Sequence, residues 1–303
     1  MNLNPPGDRL LGRRVRFSAV ARALLLAWAL AACGEKGELG SPRQSGPLTQ
    51  EQELIQALGA EATRGDASAQ VNLGVMYLRG EGVARNVAKA VALFQRAADQ
   101  GNATAQVNLG LMYAKGEGVA PDLNKGLDLL RKAEAQGDPD AQVNLGLMFI
   151  RGDQVGRDVA SALALFRKAA AQGHPLAQNN MGVMYQRGEG VVRDAALAAK
   201  WYEQAAVQGE PGAQASLGSM YAAGDGVPKD LVLALIWSSL AARYGLEQAV
   251  KNRDVLAAQL SPEEKTEAQR LIDAWKKNQL PARAARAGSS DDGRTNPAKS
   301  ASR

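Results

Sequence analysis

Few residues in this chain of 303 could act as a nucleophile, an acid or a metal ligand. His174 is the sole histidine and Cys33 the sole cysteine. A zinc site needs about four donors, and a thiol nucleophile needs a base beside it, so this pair assembles neither centre. His174 also precedes Pro175, in a slot that Asp66, Asn102, Asp138 and Glu210 fill elsewhere, which is the slot of a helix cap. No Ser-x-x-Lys occurs, which weighs against penicilloyl-serine chemistry. No glycine-rich phosphate loop follows a strand. Glu81 and Glu117 occupy equivalent Gly-Glu-Gly turns rather than a converging pair. On these residues the chain is not an enzyme, and it needs neither metal nor cofactor.

Recognition chemistry is better represented. Asn72, Asn108, Asn144 and Asn180 recur at a spacing of 36, as do Val75, Leu111, Leu147 and Val183, and Arg79, Lys115, Arg151 and Arg187. One interval further on, all three columns lapse together, to Ser216, Ser219 and Ala223. An asparagine side chain both donates and accepts, which suits the main chain of an extended peptide. Cations beside it favour an acidic partner or a terminal carboxylate. These twelve positions are the candidate partner-binding residues, for an acidic peptide or an anionic cell-wall fragment. The alternative is scaffolding, with asparagine satisfying a neighbouring loop and the cation complementing a helix C-terminus. A purely structural need, however, should persist in the fifth interval.

The elements that position these columns are repeated. Gly65, Gly101, Gly137, Gly173, Gly209 and Gly245 stand 36 residues apart, so one unit is copied in tandem from Ala67 to Gly245. In the first copy Ala69, Leu73, Met76 and Tyr77 fall on one stripe of a helix about a dozen residues long. Asp66, Asn102 and Asp138 mark its start as N-caps, and Gly80, Gly116, Gly152, Gly188 and Gly224 mark its stop. A second helix starts at Asn86, Asp122, Asp158, Asp194 or Asp230, and Ala90, Leu93, Phe94, Ala97 and Ala98 supply its apolar stripe. Gly74, Gly110, Gly146, Gly182 and Gly218 sit inside the first helix, where glycine costs roughly 1 kcal/mol against alanine. Close approach of the second helix through its alanines would account for them. Ser68, Asn72, Val75 and Arg79 lie roughly 80–120° from the middle of the buried stripe, on an exposed or half-exposed face. Such pairs cannot bury both apolar faces alone, and stacking predicts an all-α solenoid with a concave and a convex side.

The pattern carried by Ala69, Leu73, Gly74, Met76, Tyr77, Gly80, Gly82, Val83, Asn86, Lys89, Ala90, Ala97, Ala98, Gln100 and Gly101 resembles the Sel-one-like repeat, a relative of the tetratricopeptide repeat. The resemblance holds across five copies, from Ala67 to Gly245. It implies a right-handed superhelix of antiparallel helix pairs that binds other proteins and carries no chemistry of its own in most members. It also implies that the first helix of each copy lines the concave groove, so that the three columns face inward over copies one to four. Departures occur at Gln154, Gly126 and Ser238, where the pattern has glycine, alanine and an aromatic residue.

Residues 1–32 read as a targeting segment. Arg13, Arg14, Arg16 and Arg22 precede an apolar run, Ala23 to Ala32, too short to span a bilayer, which takes about 20 residues. Leu30-Ala31-Ala32-Cys33 resembles the bacterial lipobox, and by that resemblance Cys33 is lipidated and becomes the mature N-terminus. An ordinary secretory cut or a buried cysteine are the alternatives. Gly34 rather than Asp after the cysteine favours the outer membrane, by analogy with enterobacterial sorting. Residues 33–47 form a flexible tether, 48–66 an N-terminal capping helix, 67–245 the repeats, 246–280 C-terminal capping helices, and 281–303 a disordered tail.

The net charge of +5 does not imply a polyanion partner. Residues 1–32 carry five arginines and one aspartate, which leaves +1 for the remainder; the tail from Pro281 carries five basic and two acidic residues, which leaves residues 33–280 at −2. Nucleic acid is therefore not expected as a partner. Taken together, the features describe a periplasmic, lipid-tethered scaffold that binds a protein or peptide. The competing reading is a cell-wall protein that binds or weakly processes peptidoglycan or β-lactams.

Overall fold

A computed structural model of the chain describes residues 50–152 and 155–281, with 283 and 284. The targeting segment, Cys33 and the tether lie outside the described residues, as do Gln154 and the chain beyond Ala284. Thirteen helices and no strand are present among the described residues. Helix α1 (Gln50–Thr63) precedes five pairs: α2 (Ala67–Arg79) with α3 (Val87–Asp99), α4 (Ala103–Lys115) with α5 (Leu123–Ala135), α6 (Pro139–Arg151) with α7 (Val159–Ala171), α8 (Pro175–Arg187) with α9 (Ala195–Val207), and α10 (Pro211–Ala223) with α11 (Leu231–Ala242). Helices α12 (Glu247–Gln259) and α13 (Pro262–Ala274) follow.

The helix ends follow from their capping residues. Oδ1 of Asp66, Asn102 and Asp138 accepts the backbone N–H three residues on, at 2.6, 3.0 and 2.9 Å. His174 does the same through Nδ1, accepting from the Ala177 N–H at 3.3 Å. Each cap satisfies one donor that the first turn leaves orphaned, for about 1 kcal/mol. At the other end Gly80, Gly116, Gly188 and Gly224 adopt left-handed backbone with φ between 70° and 76°. The short turn then closes when Asn86, Asp122, Asp158, Asp194 and Asp230 each donate their N–H to the carbonyl of residue 77, 113, 149, 185 or 221.

The interior glycines answer to rings rather than to alanines. A Cβ at Gly74 would lie 2.7 Å from the Phe94 ring, at Gly146 2.6 Å from Phe166, and at Gly182 2.7 Å from Tyr202. Copy two has Leu130 in place of the ring, and there the helix backbones themselves close up. A Cβ on Gly126 would stand 2.7 Å from the Gly110 carbonyl oxygen, and one on Gly110 would stand 2.9 Å from that of Gly126. Gly126, a departure from the repeat pattern, is thus the complement of a lost aromatic.

The chain divides into two compact units, one ending at Leu145 and the other beginning at Gly146. In the first, Phe94, Ala97, Leu109 and Met112 form a core with no exposed surface, and Leu58 and Ala62 of α1 cover Ala69 and Leu73. In the second, Tyr202, Leu217, Met220, Leu233, Ile236 and Trp237 are fully buried. Helix α11 is apolar nearly all round because α10, α12 and α13 all pack on it. Packing continues past Leu280, where the composition predicts disorder. Pro281 and Ala284 are buried, and Arg283 donates from Nε to Asp230 Oδ2 at 2.7 Å and from Nη1 to Glu267 at 3.0 Å. Two acceptors and a small apolar anchor outweigh the tail's polar composition there.

Candidate partner-binding face

The first helix of each copy carries the three columns, and the structure separates them by depth. The asparagines are not on an open face. Asn72, Asn108, Asn144 and Asn180 are 5–8% exposed. Asn108 Nδ2 donates to the Thr104 carbonyl at 2.9 Å, and Asn144 Nδ2 to the Asp140 carbonyl at 2.7 Å, each one turn back on its own helix. Those two side chains therefore serve local backbone. Asn180 differs: its Nδ2 is buried and has no hydrogen-bond partner.

The apolar column also divides. Val75 and Leu111, placed by the helical wheel at an exposed or half-exposed position, are buried at 3% and 7% exposure, and Val75 joins the core with Val71, Leu78 and Phe94. The reason is geometric. A wheel drawn for one helix pair sees one neighbour, whereas in a stack the next copy covers a second flank of the same helix. Leu147 and Val183 remain half-buried, and both belong to the second unit.

The cations Arg79, Lys115, Arg151 and Arg187 are all exposed in the last turn of their helices. Arg79 Nη1 lies 3.2 Å from Glu81 Oε1 and Arg187 Nη1 3.6 Å from Glu189 Oε1, so the turn acid answers the cation within its own copy. Turns also pair between successive copies, through Arg85 with Glu117, Arg157 with Glu189 and Arg193 with Asp225. Exposed pairs of this kind contribute about 0–1 kcal/mol each.

A buried glutamine relay, outside all three columns, is the main polar network. Gln70 Nε2 donates to the Ala62 carbonyl at 3.0 Å, while its Oε1 accepts from Gln100 Nε2 at 2.9 Å. Gln106 repeats this with the Ala98 carbonyl and Gln136, at 3.5 and 2.8 Å. Gln178 accepts from Gln208 at 2.7 Å. Each relay ties the first helix of a copy to the end of its second helix, and the Gln70 and Gln106 amides reach back to the preceding helix, which pins the register of the stack. In copy five Gln214 donates to Ala206, but Tyr244 stands where a glutamine would reach its Oε1, and that oxygen has no partner. The signal for this network is in the sequence, as glutamine at 70, 106, 142, 178 and 214 and again at 100, 136, 172 and 208. A search for apolar periodicity alone passes over it.

Two tyrosines in the second unit have raised pKa values. Burial pushes Tyr202 up to about 12, against the Ser216 hydrogen bond and the Arg187 charge, which favour the phenolate. Tyr221 is pushed up to about 12 by burial, with Glu203 and Asp230 acting the same way. Tyr202 donates to Gln186 Oε1 at 2.8 Å. Among the described residues no group of three His, Cys, Asp or Glu could hold a metal, and no helix is long and apolar enough to cross a membrane.

Tandem helix pairs with repeated caps, repeated ring-to-glycine contacts and a repeated glutamine relay define an all-α repeat protein. The Sel1 repeat model matches residues 67–102, 103–138, 139–174, 175–210 and 211–245, and the chain belongs to that family. A Sel1 repeat protein from Oxalobacter formigenes is similar at 30% identity, over 75% of this chain and 93% of its own, with a TM-score of 0.61. The protective antigen c5321 of uropathogenic Escherichia coli, described as displaying an SLR fold, is 28% identical over 82% of this chain and 61% of its own, at a TM-score of 0.49. The immunity protein Pa5087 of Pseudomonas aeruginosa, at 22% identity over 77% of this chain and 85% of its own with a TM-score of 0.52, shares the fold. No curated protein matches the chain. Sel1 repeat proteins are typically protein-interaction scaffolds and generally non-catalytic.

Proposed function

We propose that this chain is a membrane-tethered adaptor, held by a lipid on Cys33 at the periplasmic face of a bacterial membrane, the outer one by the residue at Gly34. Its repeats present the first-helix face, in the second unit with the exposed cation Arg151 and the half-buried Leu147 and Val183, to a protein or extended peptide. The observation that carries the reading is the repetition itself. Five copies of one unit build surface, and the polar groups repeated among them serve caps and register rather than a reaction centre. A tether on one end of such a body raises the local concentration of whatever it binds.

The test is affinity capture with the full chain, once from periplasmic extract and once with purified sacculi. The expected result is a protein partner that Arg151→Glu releases, and a chain that leaves the membrane fraction when Cys33→Ala is introduced. Retention on sacculi with no protein partner would overturn the adaptor reading in favour of cell-wall binding.

A further inference from the structure

An extended segment of the chain itself lies against the second helices of copies four and five. Helix α13 stops at Ala274, and Trp275 leaves it with extended backbone and packs half-buried on the core. Asn278 then donates its N–H to the Val207 carbonyl at 2.6 Å, where α9 ends. Its φ of 65° is left-handed, the one such value outside glycine among the described residues. Pro281 and Ala284 are buried, and Arg283 bridges Asp230, the N-cap of α11, and Glu267 on α13. The segment thus runs as a strap from the last residue of α9 to the start of α11. Among the described residues its hold past α13 is slender: a backbone hydrogen bond to α9, one guanidinium and two small apolar anchors.

The acids along this path outnumber the strap's paired cation. Asp230 and Glu267 share Arg283. Glu203, one turn before Val207 on α9, is half-buried and has no hydrogen-bond or ion-pair partner among the described residues. Burial pushes its carboxyl above the usual range, against the charge of Lys200. Glu203 and Asp230 both act on the Tyr221 hydroxyl, so the two carboxylates lie near the same ring. Lys276 and Lys277, the other cations of the strap, are exposed and have no ion-pair partner among the described residues. The face therefore keeps a partly desolvated carboxylate that the strap does not answer. A segment with a second cation fits it better than the one in place.

We infer that the strap is a releasable internal ligand, and that a basic extended segment of a partner protein takes its place along α9 and α11, with one cation between Asp230 and Glu267 and a second on Glu203. Opposite charge supplies the selectivity, and the docked strap sets a threshold that weakly matched peptides do not pass. This surface is built by second helices and is acidic. It goes beyond the adaptor reading and depends neither on the first-helix face nor on Cys33.

The experiment titrates the full chain with two dye-labelled peptides and reads fluorescence anisotropy. One has the strap sequence Lys276–Ala285, and the other the same sequence with Gln279→Arg. In extended backbone residue 279 shares a face with Pro281 and Arg283 and lies on the Val207 side of both. The Gln279→Arg peptide should bind at least tenfold more tightly than the strap sequence. Glu203→Gln in the protein should erase that difference and leave the affinity for the strap sequence unchanged. Arg283→Ala in the protein should tighten both peptides severalfold, because a loosened strap competes less. The absence of saturable binding even in Arg283→Ala, a tenfold preference that survives Glu203→Gln, or no gain in Arg283→Ala would each overturn the inference. None of these outcomes touches capture through the first-helix face, which Arg151→Glu tests separately.

Discussion

Tyr202 shows how one hydroxyl changes the meaning of a repeated position. Phe94 and Phe166 fill the same slot without a polar atom, whereas Tyr202 donates to Gln186 and is held near a pKa of 12 by burial. The folded value lies above the ordinary tyrosine value of 10, so the folded state keeps its proton where the unfolded chain has released it. The associated stability is complete below pH 10 and is lost as pH rises towards 12, at about 1.4 kcal/mol per tyrosine for each pH unit in that window. Thermal melts of wild type and Tyr202→Phe between pH 8 and 12 check this. The variant should lose less stability than wild type above pH 10, and parallel curves would contradict the assignment. None of this is legible in the sequence, where an aromatic residue at position 202 looks like any other copy's. The caps were legible, because a short polar residue ahead of a helix has one dominant use, and His174 fits that slot.

Helix pairing was readable in outline and misread in its contact. Glycine inside a helix does announce a close neighbour, yet sequence alone does not say whether the neighbour is a ring or a backbone. The structure gives rings at Gly74, Gly146 and Gly182, and backbone oxygen at Gly110 and Gly126. A ring can shift slightly, whereas a helix backbone cannot. Gly126→Ala should therefore destabilise the chain by about 1–3 kcal/mol through overpacking, despite its better helix propensity. Gly59→Ala in α1, where nothing lies within 4 Å, should stabilise by roughly 0.5–1 kcal/mol. Denaturant midpoints of the two variants decide it, and equal shifts would refute the contact geometry. The burial of Val75 and Leu111 has the same origin: face assignment needs the next copy in the stack, which no single helix encodes.

Across the whole chain each compact unit has its own core, and the second is closed by more than helices. Arg283 joins Asp230, which also caps α11 through Val232 and Leu233, to Glu267 on α13, while Ala284 enters the core. Ending the chain after Leu280 should lower the stability of the second unit by about 1–2 kcal/mol, from two partly exposed ion pairs and a small buried area. A chain ending after Ala284 keeps both ion pairs and is the reference for comparison. Calorimetry on both truncations tests this, and equal melting would deny the fastening. Composition hid the feature, because Pro-Ala-Arg-Ala carries no strong hydrophobic signal and its order depends on acids more than ten residues away.

The unanswered oxygen of Gln214 bears on how long such an array can grow. With Tyr244 in the glutamine slot, the last copy lacks the fitting that each earlier relay uses, and α12 and α13 seal it instead. An engineer grafting additional units after Gly245 would restore glutamine at 244 to answer Gln214 inside copy five, and would make the join itself with a glutamine on the first new helix, as Gln106 and Gln214 do to the helix before them.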